Sequence, residues 1–199
     1  MHNNVWNILL GFTTLLGFGL AIWQTFRFEE LNRRQRDFDW PRFRNAAADL
    51  GRAVRRSGFA PDYLVAMSER GAIVCNLVML ELRRRVPVIT LAYLFRSDEN
   101  VIDLPGFVTL RLSKNTAFLP EKIGELRDHH ILIVDDLAMS GEALATVRRA
   151  LESQGFAPDN IRSATIVVTK VAVAGNKGPD FFAHEVSDVD FNFPWGPAE

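Results

Sequence analysis

The sequence has few cysteines, few clusters of potential metal ligands and almost no net charge, and an excess of any of these would have indicated a particular class of function. Cys75 is the single cysteine among 199 residues; one thiol cannot form an internal disulfide, and this usage fits a reducing compartment. The 23 Lys and Arg residues balance 24 Asp and Glu residues, so net charge gives no reason to expect nucleic-acid binding. No His or Cys residues recur at the spacing of a metal site, so we expect no metal held by protein side chains alone. The informative signals are therefore local.

Charge is also missing from a long stretch near the N-terminus. Val5–Phe26 is 22 residues without a charged side chain, and as a helix it would be about 33 Å long, enough to cross a bilayer core of roughly 30 Å. Trp6 and Trp23 lie near its two ends, where aromatic rings prefer the headgroup level. No Lys or Arg precedes it, whereas four arginines follow between Arg27 and Arg36. The positive-inside rule then predicts a single-pass membrane anchor over residues 1–27, with the N-terminus outside and the following domain in the cytoplasm. A cleaved signal peptide and a buried core helix are the alternatives.

After a charged juxtamembrane stalk over residues 28–40, apolar strands alternate with amphipathic helices. Trp40-Pro41 marks the start of a helix that ends before Gly58. Further helices are predicted over Ala72–Arg85 and Gly141–Ser153. The predicted strands are Tyr63–Met67, Val88–Leu94, Phe107–Leu112 in an inserted hairpin, Ile131–Val134, Ile161–Thr169 and Phe181–Val186. This pattern predicts an α/β fold over residues 41–199, with a mostly parallel sheet flanked by helices and a ligand site beyond the carboxyl ends of its strands.

The most informative stretch is Ile131–Ala143, an apolar strand followed by two acids, a short loop and a helix. Asp135 and Asp136 are suited to accept hydrogen bonds from vicinal hydroxyls, or to lie near an Mg²⁺ shared with a diphosphate. The loop presents main-chain N–H groups, the Ser140 hydroxyl and a helix N-terminus, which together attract an anion. Gly141 lets a phosphate approach the main chain without meeting a Cβ. Taken alone, the two acids could be solvated surface residues, and Ser140-Gly141 could be an ordinary helix start. The complete order of strand, acids, loop and helix predicts instead a site for a phosphorylated ribose.

That order resembles the phosphoribosyl-diphosphate (PRPP) motif of the type I phosphoribosyltransferases, and the chain is most similar to their xanthine-guanine/hypoxanthine branch. The resemblance covers roughly Phe38–Gly196. It implies that family's fold, transfer of a phosphoribosyl group from PRPP to a nitrogenous base, Mg²⁺ bound together with PRPP, and paired protomers. It also implies that Asp135 and Asp136 hold the ribose and, indirectly through PRPP, the metal. The 5′-phosphate would be bound by Met139, Ser140, Gly141, Glu142 and Ala143.

Three further segments carry the resemblance. A turn between a strand and a helix is similar to that family's pyrophosphate loop and implies diphosphate binding by Ser68, Glu69, Arg70 and Gly71. Lys170 matches the lysine that meets the exocyclic oxygen of a 6-oxopurine. The tail Phe193-Pro194-Trp195 resembles the one that closes over the base, which makes Phe191 and Trp195 base-binding candidates. A surface arginine at a turn, a strand-end lysine and a packing tail are the alternatives for these three segments.

The chain departs from the family pattern at four places, and these departures leave both a catalytic and a non-catalytic function open. Met139 stands where purine-using members carry an acid, and methionine cannot transfer a proton. Glu142 and Ala143 bring a negative charge to the phosphate loop and remove a hydroxyl. Ala72 replaces a glycine, and Asp190 falls where a stacking aromatic is expected, one residue before Phe191. The sequence therefore predicts a membrane-anchored phosphoribosyltransferase or, alternatively, a non-catalytic PRPP or nucleotide sensor coupled to a membrane helix, as in a bacterial stress or defence system. A module that only assembles in the membrane is a third, weaker alternative.

Overall fold

The computed structural model describes residues 37–95, 103–112 and 115–198. The predicted membrane anchor Val5–Phe26 and stalk residues 28–36 lie outside these ranges. Among the residues that are described, no helix is both long and apolar enough to cross a membrane. The described chain falls into two compact units, Trp40–Val189 and a smaller one made of Asp37–Asp39 with Asp190–Ala198, which we describe separately.

Helices and strands alternate along the larger unit much as the sequence predicts. Its helices are α1 (Trp40–Arg56), α2 (Glu69–Leu82), α3 (Glu142–Ser153) and α4 (Lys170–Ala174), with 3₁₀ helices at Glu121–Leu126 and Pro158–Asn160. Its strands are β1 (Tyr63–Ala66), β2 (Val88–Thr90), β3 (Ala92–Phe95), β4 (Phe107–Arg111), β5 (Asn115–Pro120), β6 (Ile131–Ala138), β7 (Ile161–Thr169) and β8 (Phe181–Val186).

Five strands form the central sheet, in the order β2-β1-β6-β7-β8, and every neighbouring pair is parallel. The predicted α/β fold with a parallel sheet is thereby confirmed. Its strands are apolar because both faces are covered; Ile131–Val134 of β6, for example, is completely buried. From β1 the chain proceeds to one side of the sheet, and from β6 to the other. The carboxyl ends of β1 and β6 therefore flank the switch point at which open α/β sheets bind ligands.

The first two helices of the unit pack against each other through a glycine. The apolar stripe of α1, which includes Phe43, Leu50 and Val54, is completely buried. A Cβ at Gly51 would lie 2.7 Å from the Glu81 Cβ and 2.9 Å from the Val78 carbonyl oxygen of α2. Because real carbon atoms do not approach so closely, only glycine allows this spacing between the helices.

The predicted inserted hairpin is a three-stranded antiparallel sheet with the order β3-β5-β4. The prediction of one strand over Val88–Leu94 was wrong, because the chain changes partner at Leu91. The Leu91 N–H donates to the Ala66 carbonyl oxygen at the end of β1 (3.0 Å), and beyond that point β1 offers no further partner. The following residues pair with β5 instead, a strand that was not predicted separately from the sequence.

Two boundaries next to the candidate site also differ from the prediction. β6 extends to Ala138, so Asp135 and Asp136 lie inside the strand rather than after it, because the ladder to the long strand β7 continues to the pair Ala138–Val168. α2 begins at Glu69 instead of Ala72, because Ser68 caps it. Three of the four residues of the predicted pyrophosphate loop, Glu69–Gly71, therefore form the first turn of a helix.

The smaller unit is held by main-chain hydrogen bonds and aromatic rings. The Phe38 N–H donates to the Asn192 carbonyl oxygen (2.7 Å), and the Asn192 N–H donates to Oδ1 of Asp37 (2.7 Å). Phe193 lies at the centre of its rings, 5.6 Å from Phe38. Two short antiparallel strands complete the unit, β9 (Asn192–Phe193) and β10 (Gly196–Pro197).

Candidate functional site

Three segments predicted to bind ligand meet at one edge of the central sheet. Parallel strands end at the same edge, and β1, β6 and β7 are neighbours. Ser68–Gly71 follows β1, Met139–Gly141 follows β6, and Lys170 follows β7 directly. The pyrophosphate loop, the phosphate loop and the base lysine predicted from the sequence are thus brought to the same side of the sheet.

The pyrophosphate loop is bonded to the acidic pair. Ser68 has an extended backbone (φ −155°, ψ 178°), and its Oγ accepts a hydrogen bond from the Gly71 N–H (3.1 Å), which caps α2. The same hydroxyl donates to Oδ1 of Asp135 (3.2 Å). A Cβ at Gly71 would lie only 2.7 Å from the Val134 carbonyl oxygen. Glycine therefore lets the start of α2 rest directly on β6, beside Asp135.

The two carboxyl groups of β6 are costly to ionise together. Asp136 is 7% exposed, and burial raises its pKa to about 6, against the opposing pull of the Arg70 guanidinium. Burial raises the pKa of Asp135 well above its ordinary value, and the negative charge of Asp136 adds to that rise. Adjacent buried carboxyl groups favour a state in which the pair holds one proton. Such a pair offers both a donor and acceptors to the hydroxyls of a ribose.

The phosphate loop is fixed by contacts with the last residue of β7 and with the segment that follows this strand. The Thr169 hydroxyl donates a hydrogen bond to the Met139 carbonyl oxygen. Gly141, the cap of α3, has φ +72°, which disfavours residues with a Cβ. A Cβ there would lie 1.9 Å from the Lys177 carbonyl oxygen. Glycine is therefore needed at this position for a reason that the sequence did not show: the main chain of Lys177 occupies the space that a side chain would fill.

The negative charge in the phosphate loop is matched by a cation. Glu142, the first residue of α3, forms an ion pair with the Nζ of Lys177. The hydrogen bond and charge of Lys177 hold the pKa of Glu142 below its ordinary value, with a smaller contribution from Arg149. Sequence reasoning missed Lys177, because it lies 35 positions away in a polar turn with no motif of its own. The Glu142 N–H donates to the Ser140 Oγ at 3.4 Å, and Ala143 lies in the first turn of α3.

The predicted base-binding residues are divided between the two units. Lys170 is exposed and begins α4 instead of ending the strand, because the Thr169 hydroxyl caps that helix by accepting a hydrogen bond from the Ala172 N–H (3.3 Å). Phe191 belongs to the smaller unit, where it is 6% exposed and its ring centroid lies 5.2 Å from that of Phe193. Trp195 stacks on Phe193 in the same cluster, with their ring centroids 5.2 Å apart. Base binding by these three residues stays a prediction.

The donor set fits a magnesium ion that arrives with its ligand. Over the described ranges, no group of three or more His, Cys, Asp or Glu side chains is placed to hold a metal. Asp135 and Asp136 provide carboxylate oxygens beside Arg70 and Ser68. Mg²⁺ is commonly bound through one or two carboxylates together with substrate phosphates. The residues present therefore suit Mg²⁺ in a complex with a diphosphate.

The fold and these loops define a phosphoribosyltransferase-type domain. The family profile of the phosphoribosyl transferase domain matches residues 38–198, and the chain belongs to that family. No curated protein is similar enough in sequence to count as a match.

Solved structures show the same fold at low sequence identity. A purine phosphoribosyltransferase from Pyrococcus horikoshii Ot3 has a TM-score of 0.60 at 18% identity, covering 81% of this chain and 94% of its own. A hypothetical protein from Neisseria gonorrhoeae with bound ppGpp has a TM-score of 0.59 at 20% identity, with 79% and 86% covered. The xanthine-guanine-hypoxanthine phosphoribosyltransferase of Helicobacter pylori has a TM-score of 0.54 at 19% identity, with 80% and 90% covered.

Proposed function

We propose that this protein binds PRPP with Mg²⁺ and transfers its phosphoribosyl group to a nitrogenous base. The observation that carries the proposal is the hydrogen bond from Ser68 to Asp135, with Arg70 acting on Asp136. It joins the segment that resembles a pyrophosphate loop to the segment that resembles a ribose site. A ligand with a ribose and a diphosphate one bond apart needs both segments side by side.

The segments at the carboxyl ends of β1 and β6 have different roles in this reaction. Asp135 and Asp136 hold the ribose hydroxyls, and Arg70 stabilises the negative charge of the leaving diphosphate. Ser140 and the N-terminus of α3 hold the 5′-phosphate. Asp135 and Asp136 are the residues that would hold Mg²⁺ together with the diphosphate, and the ion would neutralise part of the diphosphate charge. Positioning and charge stabilisation of this kind accelerate transfer without a dedicated base, which Met139 could not supply.

We propose an oxopurine as the base. Lys170 presents an exposed ammonium group at the same edge, and an ammonium suits an exocyclic oxygen acceptor. Two solved structures of the same fold are named as a purine and a xanthine-guanine-hypoxanthine phosphoribosyltransferase, and the name of the second motivates the choice of an oxopurine. Because Met139 takes no proton, the base must lose its proton to solvent, and we expect turnover to be slow.

Binding is tested by calorimetric titration of the full-length chain with PRPP, with and without Mg²⁺. We expect Mg²⁺-dependent binding that the double variant Asp135→Asn/Asp136→Asn abolishes. Asp128→Asn is the matched control, since Asp128 is an exposed acid three residues before the strand. Unchanged affinity in the double variant would overturn the assignment of the ribose site.

A second function, a non-catalytic nucleotide sensor, is favoured by one residue and one relative. Met139 removes the proton acceptor of purine-using members, and the Neisseria relative of similar fold was solved with ppGpp bound. The two functions differ in turnover. Release of diphosphate from PRPP with any base of a purine and pyrimidine panel identifies an enzyme, whereas binding of PRPP or ppGpp without release across the panel identifies a sensor.

We also propose, from the sequence, that Val5–Phe26 anchors the domain to the cytoplasmic face of a membrane and that protomers pair. The anchor predicts that the chain stays in the membrane fraction after a carbonate wash, and that Leu16→Arg, which places a charge in the middle of the segment, releases it. A soluble wild-type chain contradicts the anchor.

Pairing of protomers predicts the mass of a dimer in sedimentation of the detergent-solubilised chain. A monomer mass contradicts the pairing.

A further inference from the structure

Lys177 is held against the phosphate loop by its main chain. The Lys177 N–H donates to the Ala172 carbonyl oxygen (2.9 Å), and the Asn176 N–H donates to that of Val173 (3.0 Å). Asn176 adopts φ +53°, a left-handed conformation that asparagine tolerates better than most residues. Gly141 completes the contact, since its missing Cβ leaves room for the Lys177 carbonyl group. The turn after α4 and the start of α3 therefore form one packed corner.

The side chain of Lys177 is not buried in this corner and is free to exchange partners. Its ammonium contacts the Glu142 carboxylate, and the two side chains are 43% and 47% exposed. Ion pairs at this exposure contribute little to stability. A doubly charged phosphate at the N-terminus of α3 would be a stronger acceptor for the same ammonium than a single carboxylate. Glu142 is the first residue of α3, so its pairing already places the ammonium beside that N-terminus.

We propose that Lys177 binds the 5′-phosphate of the ligand, and that Glu142 holds the Lys177 ammonium until that phosphate arrives. The proposal rests on the PRPP-binding function proposed above and names a residue and a selectivity that the function alone does not include. A ligand with a 5′-phosphate takes Lys177 from Glu142, whereas diphosphate alone, at the Ser68–Gly71 side, does not. Lys177 then acts as a specificity-determining residue for the phosphorylated end of the ribose.

The rival explanation is that Lys177 only neutralises Glu142. In that case Lys177→Gln harms binding solely by leaving the carboxylate next to the phosphate, and the double variant Glu142→Gln/Lys177→Gln binds as well as Glu142→Gln alone. If Lys177 binds the phosphate itself, its removal costs affinity in the Glu142→Gln background as well. A double-variant cycle therefore separates the two explanations.

The experiment titrates the full-length chain with Mg²⁺-PRPP, ribose 5-phosphate and diphosphate. We expect Lys177→Gln to weaken binding of the first two ligands about tenfold or more, the loss of one charge-assisted hydrogen bond, in both the wild-type and the Glu142→Gln backgrounds. Diphosphate binding should not change. Lys177→Arg should bind within about threefold of the wild type because it retains the charge, and Glu142→Gln alone should bind more tightly. Lys122→Gln, an exposed lysine on a 3₁₀ helix, is the matched control.

The outcomes distinguish this inference from the function on which it rests. A wild-type chain that binds no PRPP overturns both. A wild type that binds PRPP, with Lys177→Gln unchanged or with the double variant binding as tightly as Glu142→Gln alone, overturns the role of Lys177 alone. Equal weakening of diphosphate and ribose 5-phosphate by Lys177→Gln also overturns it, since the effect is then not confined to the phosphorylated end.

Discussion

The Ser68 hydroxyl donates a hydrogen bond to Oδ1 of Asp135 across 3.2 Å, although the two residues are 67 positions apart in the sequence. Ser68 simultaneously caps α2 through the Gly71 N–H. One side chain thus fixes the start of a helix and the orientation of a carboxyl group on the neighbouring strand. Because β1 and β6 are neighbours that flank the switch point of the sheet, this bond ties together the two halves of the crevice in which we place PRPP.

Replacing Gly71 tests whether this close approach matters. The Cβ of Gly71→Ala would meet the Val134 carbonyl oxygen at 2.7 Å and Oδ1 of Asp135 at 3.3 Å. Main chain inside a sheet cannot move aside, so we expect about 1–3 kcal/mol lower stability in urea unfolding, the usual range for overpacking, together with weaker PRPP binding. Gly124→Ala is the control, since its Cβ would meet the mobile end of the Gln154 side chain at 3.1 Å. Equal stability of the two variants would contradict this account of Gly71.

Asp136 should make the ligand-free protein less stable at neutral pH. Its pKa is raised from 3.8 to about 6 in the folded chain, so between these values the folded state holds more protons than the unfolded state. The free energy of unfolding therefore falls as the pH rises from about 4 to about 6. Asp136→Asn removes this penalty, and we expect it to stabilise the chain at pH 7 by up to about 3 kcal/mol. Urea unfolding at pH 4 and pH 7 measures the effect, which should be smaller at pH 4; a variant less stable than the wild type at pH 7 contradicts it.

The same carboxyl group predicts how PRPP binding depends on pH. Below pH about 6, Asp136 takes up a proton and loses the charge that a magnesium–diphosphate complex favours. We expect the affinity for Mg²⁺-PRPP to fall as the pH decreases from 7 to 5. Calorimetric titration across this range measures it, with diphosphate protonation corrected by titrations in two buffers. An affinity that is constant between pH 7 and pH 5 would contradict a role for ionised Asp136.

The sequence predicted the elements whose signals are local. β7 and β8 have the predicted bounds, because each is a segment rich in apolar and β-branched or aromatic residues with turn residues on both sides. Residue order likewise predicted that the acids lie near the end of β6 and that helices start close to Ser68 and Gly141, although the bounds of β6 and α2 differ from the prediction. The predictions that failed depended on distant partners. β6 is longer than predicted because β7 continues beside it, and the strand from Val88 divides because β1 ends. Lys177 was missed for the same reason, since only the folded chain brings it to Glu142.

Cys75 should be chemically inert while the chain is folded. It is fully buried in α2, and burial together with the charge of Asp135 raises the pKa of its thiol. Because the thiolate is the reactive form, we expect negligible labelling by a thiol reagent at pH 8 and complete labelling in denaturant. As the single cysteine of the chain, it reports directly on opening of the α2–β6 contact. Faster labelling of Gly71→Ala than of Gly124→Ala would agree with the displacement of α2; rapid labelling of the folded wild type would contradict the burial of Cys75.

Asp180 should contribute more to the free energy of unfolding than an ordinary acidic residue on the surface. Its Oδ2 accepts hydrogen bonds from the Ser163 N–H (2.8 Å) and hydroxyl (2.8 Å) and pairs with Nη2 of Arg148 (2.7 Å). The carboxylate thus joins the chain just before β8 to β7 and α3, the elements that carry the phosphate loop and the turn containing Lys177. Asp180→Ala leaves the Ser163 N–H without this acceptor, and we expect a loss of about 2 kcal/mol in urea unfolding. Asp159→Ala, at an exposed acid, should change stability by less than about 0.5 kcal/mol. If both variants unfold at the same urea concentration, the Asp180 contacts do not hold these elements together.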